Sequence, residues 1–335
     1  MRVGEKFVFY QVGGTSRLFD SFGLQIAKEI GMLIRVGYEI AVEVTSPTAV
    51  YTYLNVHPQH KQDIVWACAE ESTGTRHIDI HGNEFVRQTL PEGETVLSHD
   101  AIVEVSGLPD VFNENAAQVD PAQLPAECLP YLLGSRYCET DRMSQIAWTR
   151  FGHYQGGAER VRAICDFVNA HLSFSYGYAR STRTALEAYN ERVGVCRDFA
   201  HLVITLCRAL NIPARYANGF MGDIGVPADP SPMDYNAWVE VYLDGQWFTV
   251  DARHNQPRIG RILVARGRDA SDIPLFSTFG PHRLNRFEVW TEEYKGLQSS
   301  VGKYIRPAKR TSMRYGPAGR SPHDLGLNPF VNCMI

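Results

Sequence analysis

One cysteine and one aspartate in this 335-residue chain stand where nucleophilic chemistry would need them. Cys196 lies in ERVGVCRDFAHLVITLCRALNIPARY, in which Phe199, Val203, Leu206 and Leu210 recur at helical spacing and Asn211-Ile212-Pro213 closes the helix. The spacing predicts Cys196 in the first turn, just after Gly194. Unpaired backbone N–H groups and the helix dipole favour a thiolate there. A free thiol titrates near ~8.5, and such a setting lowers that value and makes the sulfur a better nucleophile. Cys207, in the middle of the same helix, and Cys165, in AERVRAICDFVNAHLSF, read instead as apolar packing.

Partners for the thiol come from MDYNAWVEVYLDGQWFTVDARH, residues 233–254. Asp244-Gly245 between two apolar runs predicts a two-residue type I′ turn, and the turn sets the register of the hairpin. Leu243 then faces Gln246, Tyr242 faces Trp247, and further out Trp238 faces Asp251. Asn236, two positions beyond Trp238, falls diagonally beside Asp251 on the same face. If the second strand ran on, His254 would pair with Tyr235 and face away from the thiol. Only a turn after Asp251 brings it round, and the Arg253-to-Pro257 run favours such a break. His201, five residues after Cys196, is rotated off the cysteine's face of the helix and reads as a structural histidine bonded to backbone.

GVCRDFAHL (194–202), AWVEVYLDGQWFTVDAR (237–253) and the preceding IPARYANGFMGD together resemble the bacterial transglutaminase-like superfamily. The β-rich first part of the chain resembles the N-terminal region often fused to that domain, and the resemblance runs from Met32 to Thr291. It implies a papain-like triad: a cysteine at a helix start, a histidine on the next strand and an aspartate on the strand after. Carried over position by position, Cys196 is the nucleophile and Asp251 the orienting carboxylate, while Asn236 holds the histidine position. An amide cannot take a thiol proton or return one to a leaving amine. Either His254 substitutes as the base or the site no longer turns over.

The activity implied is cysteine chemistry on an amide through a thioester, as a protease or amidase or as an acyl transferase. A peptide, a protein amide or a small amide would be the substrate. The alternative is a catalytically impaired binding protein that keeps the fold and groove. The motifs imply no organic cofactor and no metal.

Composition agrees with a globular chain. With 44% hydrophobic and 21% charged residues and a formal charge of −4, nothing draws the protein electrostatically to nucleic acid or membrane. No apolar run approaches ~18 residues and the N-terminus lacks an h-region, so the expectation is a cytoplasmic protein, neither exported nor membrane-spanning. Seven scattered cysteines without CxxC spacing fit free thiols in a reducing compartment. Oligomeric state stays open.

The expected fold class is α+β: an N-terminal β-sandwich-like domain followed by a papain-like transglutaminase-fold domain. Residues 1–31 read as an upstream extension outside the folded unit. Residues 32–107 carry the strand signals LIRVGYEIAVEV, AVYTYLNV, RHIDI, EFVRQTL and TVLSHDAIVEV. Residues 108–127 are a polar, proline-bearing linker. Residues 128–292 form the transglutaminase-like domain, opening on helical MSQIAWTRFG, and 293–335 a basic, largely disordered tail. Within the second domain, Arg197-Asp198 is expected to cap its helix, Trp238 and Trp247 to pack, and the arginines of RIGRILVARGRDASD to lie on a solvated loop.

Overall fold

The structure, a computed structural model, describes residues 8–12, 15–19, 31–68, 74–230 and 233–295. Most of the expected upstream extension, and the tail beyond Lys295, lie outside the described residues. Within that extension, β1 (Val8–Val12) and β2 (Thr15–Phe19) pair as an antiparallel hairpin.

The strand-rich first part forms β3 (Met32–Val44), β4 (Thr48–Thr52), β5 (Ile64–Ala67), β6 (Thr75–Ile78), β7 (Glu84–Leu90) and β8 (Gly93–Val105). β3 and β8 share an unbroken antiparallel ladder from Met32 opposite Val105 to Val44 opposite Gly93. Ile34, Val36, Ile40, Val42 and Val44 alternate along β3 and enter the core, as the period of a strand requires. The short β5 carries no alternation that marks it in the sequence.

Residues 108–132 carry only the 3-10 turns Pro121–Gln123 and Ala126–Leu132. They are fastened rather than free. The Ala158 and Asp244 amides donate to the carbonyls of Ala116 and Ala117, both at 2.9 Å, and Pro109 bridges to Ile259.

Next come α1 (Thr140–Phe151), α2 (Gly157–His171), β9 (Ser173–Phe174), α3 (Ala185–Glu191), β10 (Val193–Gly194) and α4 (Cys196–Ala209). The chain continues with β11 (Ala214–Phe220), β12 (Asn236–Leu243), β13 (Gln246–Val250), β14 (Ile262–Gly267), β15 (Phe276–Thr278) and β16 (His282–Glu293). The strands β13-β12-β11-β14 form an antiparallel sheet on which α4 lies, with α1, α2 and α3 packed around the helix. Every residue of α4 is buried, not only the apolar face read from its spacing. Each fully buried leucine, isoleucine or valine there contributes about 1.5–3 kcal/mol, so α4 is the axis of this half.

The two remaining sheets have the orders β15-β4-β7-β6 and β16-β3-β8-β5. β15 and β16 follow β14 in the chain yet pair with β4 and β3, so the β-rich half takes one edge strand of each sheet from residues assigned by sequence to the second domain. Asn83 adds a further tie, donating to the Arg266 carbonyl at 2.7 Å and accepting from the Arg266 amide at 2.8 Å.

Candidate active site

Cys196 opens α4, and the strands before it fix that opening. β9 and β10 pair in parallel, with Gly194 opposite Phe174. The Val195 amide donates to Asp198 Oδ2 at 2.9 Å, and the Asp198 amide returns to the Val195 carbonyl at 2.8 Å. Arg183 Nη1 meets the same Oδ2 at 3.0 Å. Asp198 is thus the expected capping carboxylate, satisfying an orphan donor of the first turn. Burial pushes its carboxyl above the ordinary range against the pull of Arg197, the Val195 N–H and Arg183. Gly194 is required by this packing, since an added Cβ would come within 2.7 Å of the Asp198 side chain.

The hairpin closes as its turn residues demand. Asp244 and Gly245 both have positive φ, Leu243 faces Gln246 and Tyr242 faces Trp247. The ladder ends at Val239 opposite Val250, and the chain then leaves the strand. Residues 252–254 form a turn closed by the Asn255 amide on the Asp251 carbonyl at 2.8 Å, with Asn255 left-handed at φ 48°. From α2, Asn169 Nδ2 holds the Ala252 and Arg253 carbonyls at 2.8 and 3.1 Å, and Asp166 accepts from Asn255 Nδ2 at 2.7 Å.

This turn brings His254 back onto Asp251. His254 Nδ1 lies 2.9 Å from Asp251 Oδ2, and Asp251 Oδ1 accepts the Arg253 and His254 amides at 3.0 and 3.3 Å. Arg261 Nη2 donates to the same Oδ2 at 2.8 Å. Burial alone would raise the Asp251 carboxyl, but the Arg261 guanidinium and the His254 bond outweigh it and hold the group well below the usual carboxylate range. An ionised Asp251 accepts the Nδ1 proton, which leaves Nε2 as the acceptor of the neutral ring.

Asn236 is engaged elsewhere. Its Nδ2 donates to the Met221 and Asp234 carbonyls at 3.3 and 3.2 Å, and its Oδ1 accepts from Arg253 Nη1 at 3.0 Å. The Arg253 guanidinium also stacks 3.8 Å above the Phe174 ring. Because Phe174 pairs with Gly194, the turn carrying Arg253 and His254 is anchored beside the strand that leads into Cys196.

Of the arginines after Pro257, Arg258 and Arg261 do not lie on a solvated loop, whereas the Arg268 side chain, on the bend after β14, stays partly exposed. Arg258 is buried, donating through Nη2 to the Gly222 carbonyl and to Asp223, and Arg261 bridges Asp110 and Asp251. Asp251 is ten residues from Arg261, but Gly222 and Asp223 lie about 35 residues from Arg258 and Asp110 about 150 from Arg261, at a distance no local window reaches. Asp110 had no sequence signal, as one acid in a polar stretch. Arg253 carried one only in the break that His254 also needed.

His201 is structural. It is fully buried, its Nε2 accepts the Ala270 amide at 3.2 Å, and its ring stacks on Tyr137 at 5.0 Å with an 11° tilt. Burial holds it neutral, with a pKa well below the ordinary value. Trp238 packs with Ala217 and Leu263, and Trp247 lies edge-on to Tyr131 at 5.5 Å under the Arg215 guanidinium. The six described cysteines are free. Burial pushes the Cys138 and Cys207 thiols up to about 12 and raises Cys165 as well. Among the described residues, no helix is long and apolar enough to cross a membrane.

Residues 149–252 match the family model of the transglutaminase-like superfamily, a span that encloses Cys196, Asn236 and Asp251 and ends two residues before His254. An uncharacterized protein of Mycobacterium tuberculosis is 27% identical over 235 residues, 64% of this chain and 74% of its own. One from Mycobacterium leprae is 22% identical over 226 residues, covering 65% and 80%. Among solved structures, a candidate cysteine protease from Cytophaga hutchinsonii superposes with a TM-score of 0.69 at 28% identity, over 78% of this chain and 91% of that one. The fold is therefore α+β, with a β-rich N-terminal region and a papain-like domain.

Proposed function

We propose that this chain, a transglutaminase-like superfamily protein by its core, is a cysteine enzyme acting on amide bonds, with His254 in place of the histidine that position 236 lacks. The observation that carries the reading is the His254 Nδ1 to Asp251 Oδ2 bond of 2.9 Å, made by a turn that begins directly after Asp251. A carboxylate that orients an imidazole and fixes its tautomer is the supporting half of a cysteine–histidine–aspartate site.

In the reaction, His254 Nε2 takes the Cys196 thiol proton, and the thiolate adds to the amide carbonyl. The first-turn N–H groups and the dipole of α4 favour both the thiolate and the developing oxyanion. The tetrahedral adduct collapses by breaking the C–N bond, the imidazolium returns its proton to the leaving amine, and a thioester remains on Cys196. Water then releases an acid, or a second amine an amide, with His254 again taking the proton from the attacking group. Hydrolysis and acyl transfer differ only in the acceptor. Asp251 stays ionised throughout. The substrate is a peptide or protein amide, or a small amide.

The test is labelling of the full-length protein by an acyloxymethyl ketone, followed by peptide mapping. Cys196→Ala is expected to abolish labelling at that position and His254→Ala to slow it by ~10²-fold or more, the ordinary weight of a general base. Labelling of His254→Ala at the parent rate would overturn the assignment.

A second reading has its own support. Asn236 is tied to the Arg253 guanidinium, and Cys196 is only 1% exposed, as in a protein that keeps the groove for binding. It predicts that the parent and His254→Ala react equally slowly.

A further inference from the structure

Asp110, Arg261, Asp251 and His254 form one chain of contacts. Arg261 Nε donates to Asp110 Oδ2 at 2.8 Å, Arg261 Nη2 to Asp251 Oδ2 at 2.8 Å, and that oxygen also holds His254 Nδ1 at 2.9 Å. The Arg261 side chain is 6% exposed and lies over the Trp238 ring at 5.1 Å. Its Nη1 is buried with no hydrogen-bond partner among the protein atoms. Asp110 belongs to the segment that joins the β-rich half to the core. It is pinned there by the Arg258 amide on its Oδ2 at 3.0 Å and by its own amide on the Arg258 carbonyl at 2.9 Å.

We propose that Arg261 is a positioning residue for the Asp251–His254 pair, and that Asp110 sets how much of the arginine's charge that pair feels. The inference rests on the reading of His254 as the base. The guanidinium fixes Oδ2 so that the carboxylate presents one oxygen to Nδ1, and its charge keeps a buried carboxylate ionised. The same charge opposes protonation of the imidazole. Asp110 draws part of it away and leaves Asp251 freer to support the imidazolium that pairs with the thiolate. The strength of the base is thereby linked to the segment between the two halves of the molecule.

Besides Cys196, the thiol it would serve, His254 has a short set of charged and titratable groups near it among the described residues. On its own turn stand Asp251 and Arg253, the latter bonded to Asn236. From the approach to β14 comes Arg261, with Asp110 behind it. α2, under the turn, carries Asp166, bonded to Asn255, together with Arg162 and Cys165, which line a small cavity against Asp251. Arg261 is the only one of these cations that bonds the carboxylate oxygen His254 uses, and Asp110 is the acid that shares it.

The experiment is an NMR titration of the His254 imidazole in the full-length protein, its signal assigned by loss in His254→Ala, alongside the pH profile of Cys196 alkylation by iodoacetamide. Arg261→Gln is expected to raise the His254 pKa and Asp110→Asn to lower it, each by about one pH unit. Arg261→Lys, which keeps the charge, is expected to return the pKa toward the parent. Opposite shifts from two neutralising changes are not what general damage to the fold produces. Should Arg261→Gln fail to fold, Asp110→Asn decides alone, because it keeps every backbone contact: a fall supports the proposal and an unmoved His254 overturns it. If both variants move His254 while the alkylation profile stays fixed, the positioning role stands and the reading of His254 as base fails. If alkylation depends on His254 but neither variant moves its pKa, the reverse holds.

Discussion

Arg253 Nη1 donates to Asn236 Oδ1 at 3.0 Å, so the side chain at position 236, where the resemblance would place a histidine, is bound to a permanent cation. Two consecutive residues of one turn thus divide the work: Arg253 fills the place beside Asn236, and His254 takes the bond to Asp251. An imidazole restored at 236 would meet a guanidinium that opposes its protonation. In a His254→Ala background, Asn236→His is expected to recover a minor part of the lost Cys196 labelling, and further change of Arg253→Met to recover more. Absence of recovery in both would mean that position 236 no longer addresses the thiol.

Thiol reactivity should separate the cysteines sharply. Cys138 and Cys207 are pushed up to about 12 by burial and should stay silent toward iodoacetamide in the native protein. Cys196, at the N-terminus of α4, should be alkylated ahead of them at mildly acidic pH. Cys68 is half-buried, so a Cys68→Ala control should leave the acidic-pH labelling in place. Peptide mapping after brief exposure reads the order, and labelling of Cys207 as fast as Cys196 would remove the nucleophile assignment.

Gly194→Ala tests the seat of Cys196, the proposed nucleophile. The new Cβ would press on the Asp198 carboxylate, within 2.9 Å of its Oδ2, and disturb the cap on the Val195 amide. A loss of about 1–2 kcal/mol is expected, the usual worth of a lost helix cap, together with slower Cys196 labelling. Denaturant unfolding and the labelling rate give the two readouts, and unchanged values in both would show that the packing gives way freely.

Stability should fall between pH 6.5 and 4 because three buried histidines are held neutral. Burial lowers His57 and His99 to about 4 and His201 further. Each folded-state pKa lies below the unfolded value near ~6.5, so the unfolded chain binds the proton first as pH drops. Each histidine's contribution is complete above that value and is forfeited below it, at up to about 1.4 kcal/mol per pH unit, until its folded pKa is reached. His57→Gln should make the decline in unfolding free energy from pH 7 to pH 5 shallower by one histidine's share. A slope identical to the parent's would assign the decline to other groups.

Much of the local structure was legible in the residues. The helical spacing of Phe199, Val203, Leu206 and Leu210, with the Asn211-Ile212-Pro213 stop, located α4 and placed Cys196 in its first turn. Asp244-Gly245 determined the hairpin register, because both central positions of a type I′ turn need positive φ and few residue pairs accept it. Asp198 at the third helical position announced its own cap. These features depend on residues a few positions apart, and their physics is complete within a short window.

The tertiary structure decided the rest. β15 and β16 return to β4 and β3 across more than 200 residues, and a strand's own pattern does not say which edge it will join. Arg258 and Arg261 looked like surface charge because a guanidinium is buried only where carboxylates meet it, and Asp223 and Asp110, about 35 and 150 residues away, are brought to them by the folded chain alone. The same holds at the site. The run after Asp251 allowed either a continued strand or a turn, and anchoring by Asn169 and Asp166 from α2 accompanies the turn that carries His254 onto Asp251. Sequence determined which groups the site has to work with; which of them meet depended on long-range packing, since hydrogen-bond partners distant in the chain leave no periodic trace in either segment.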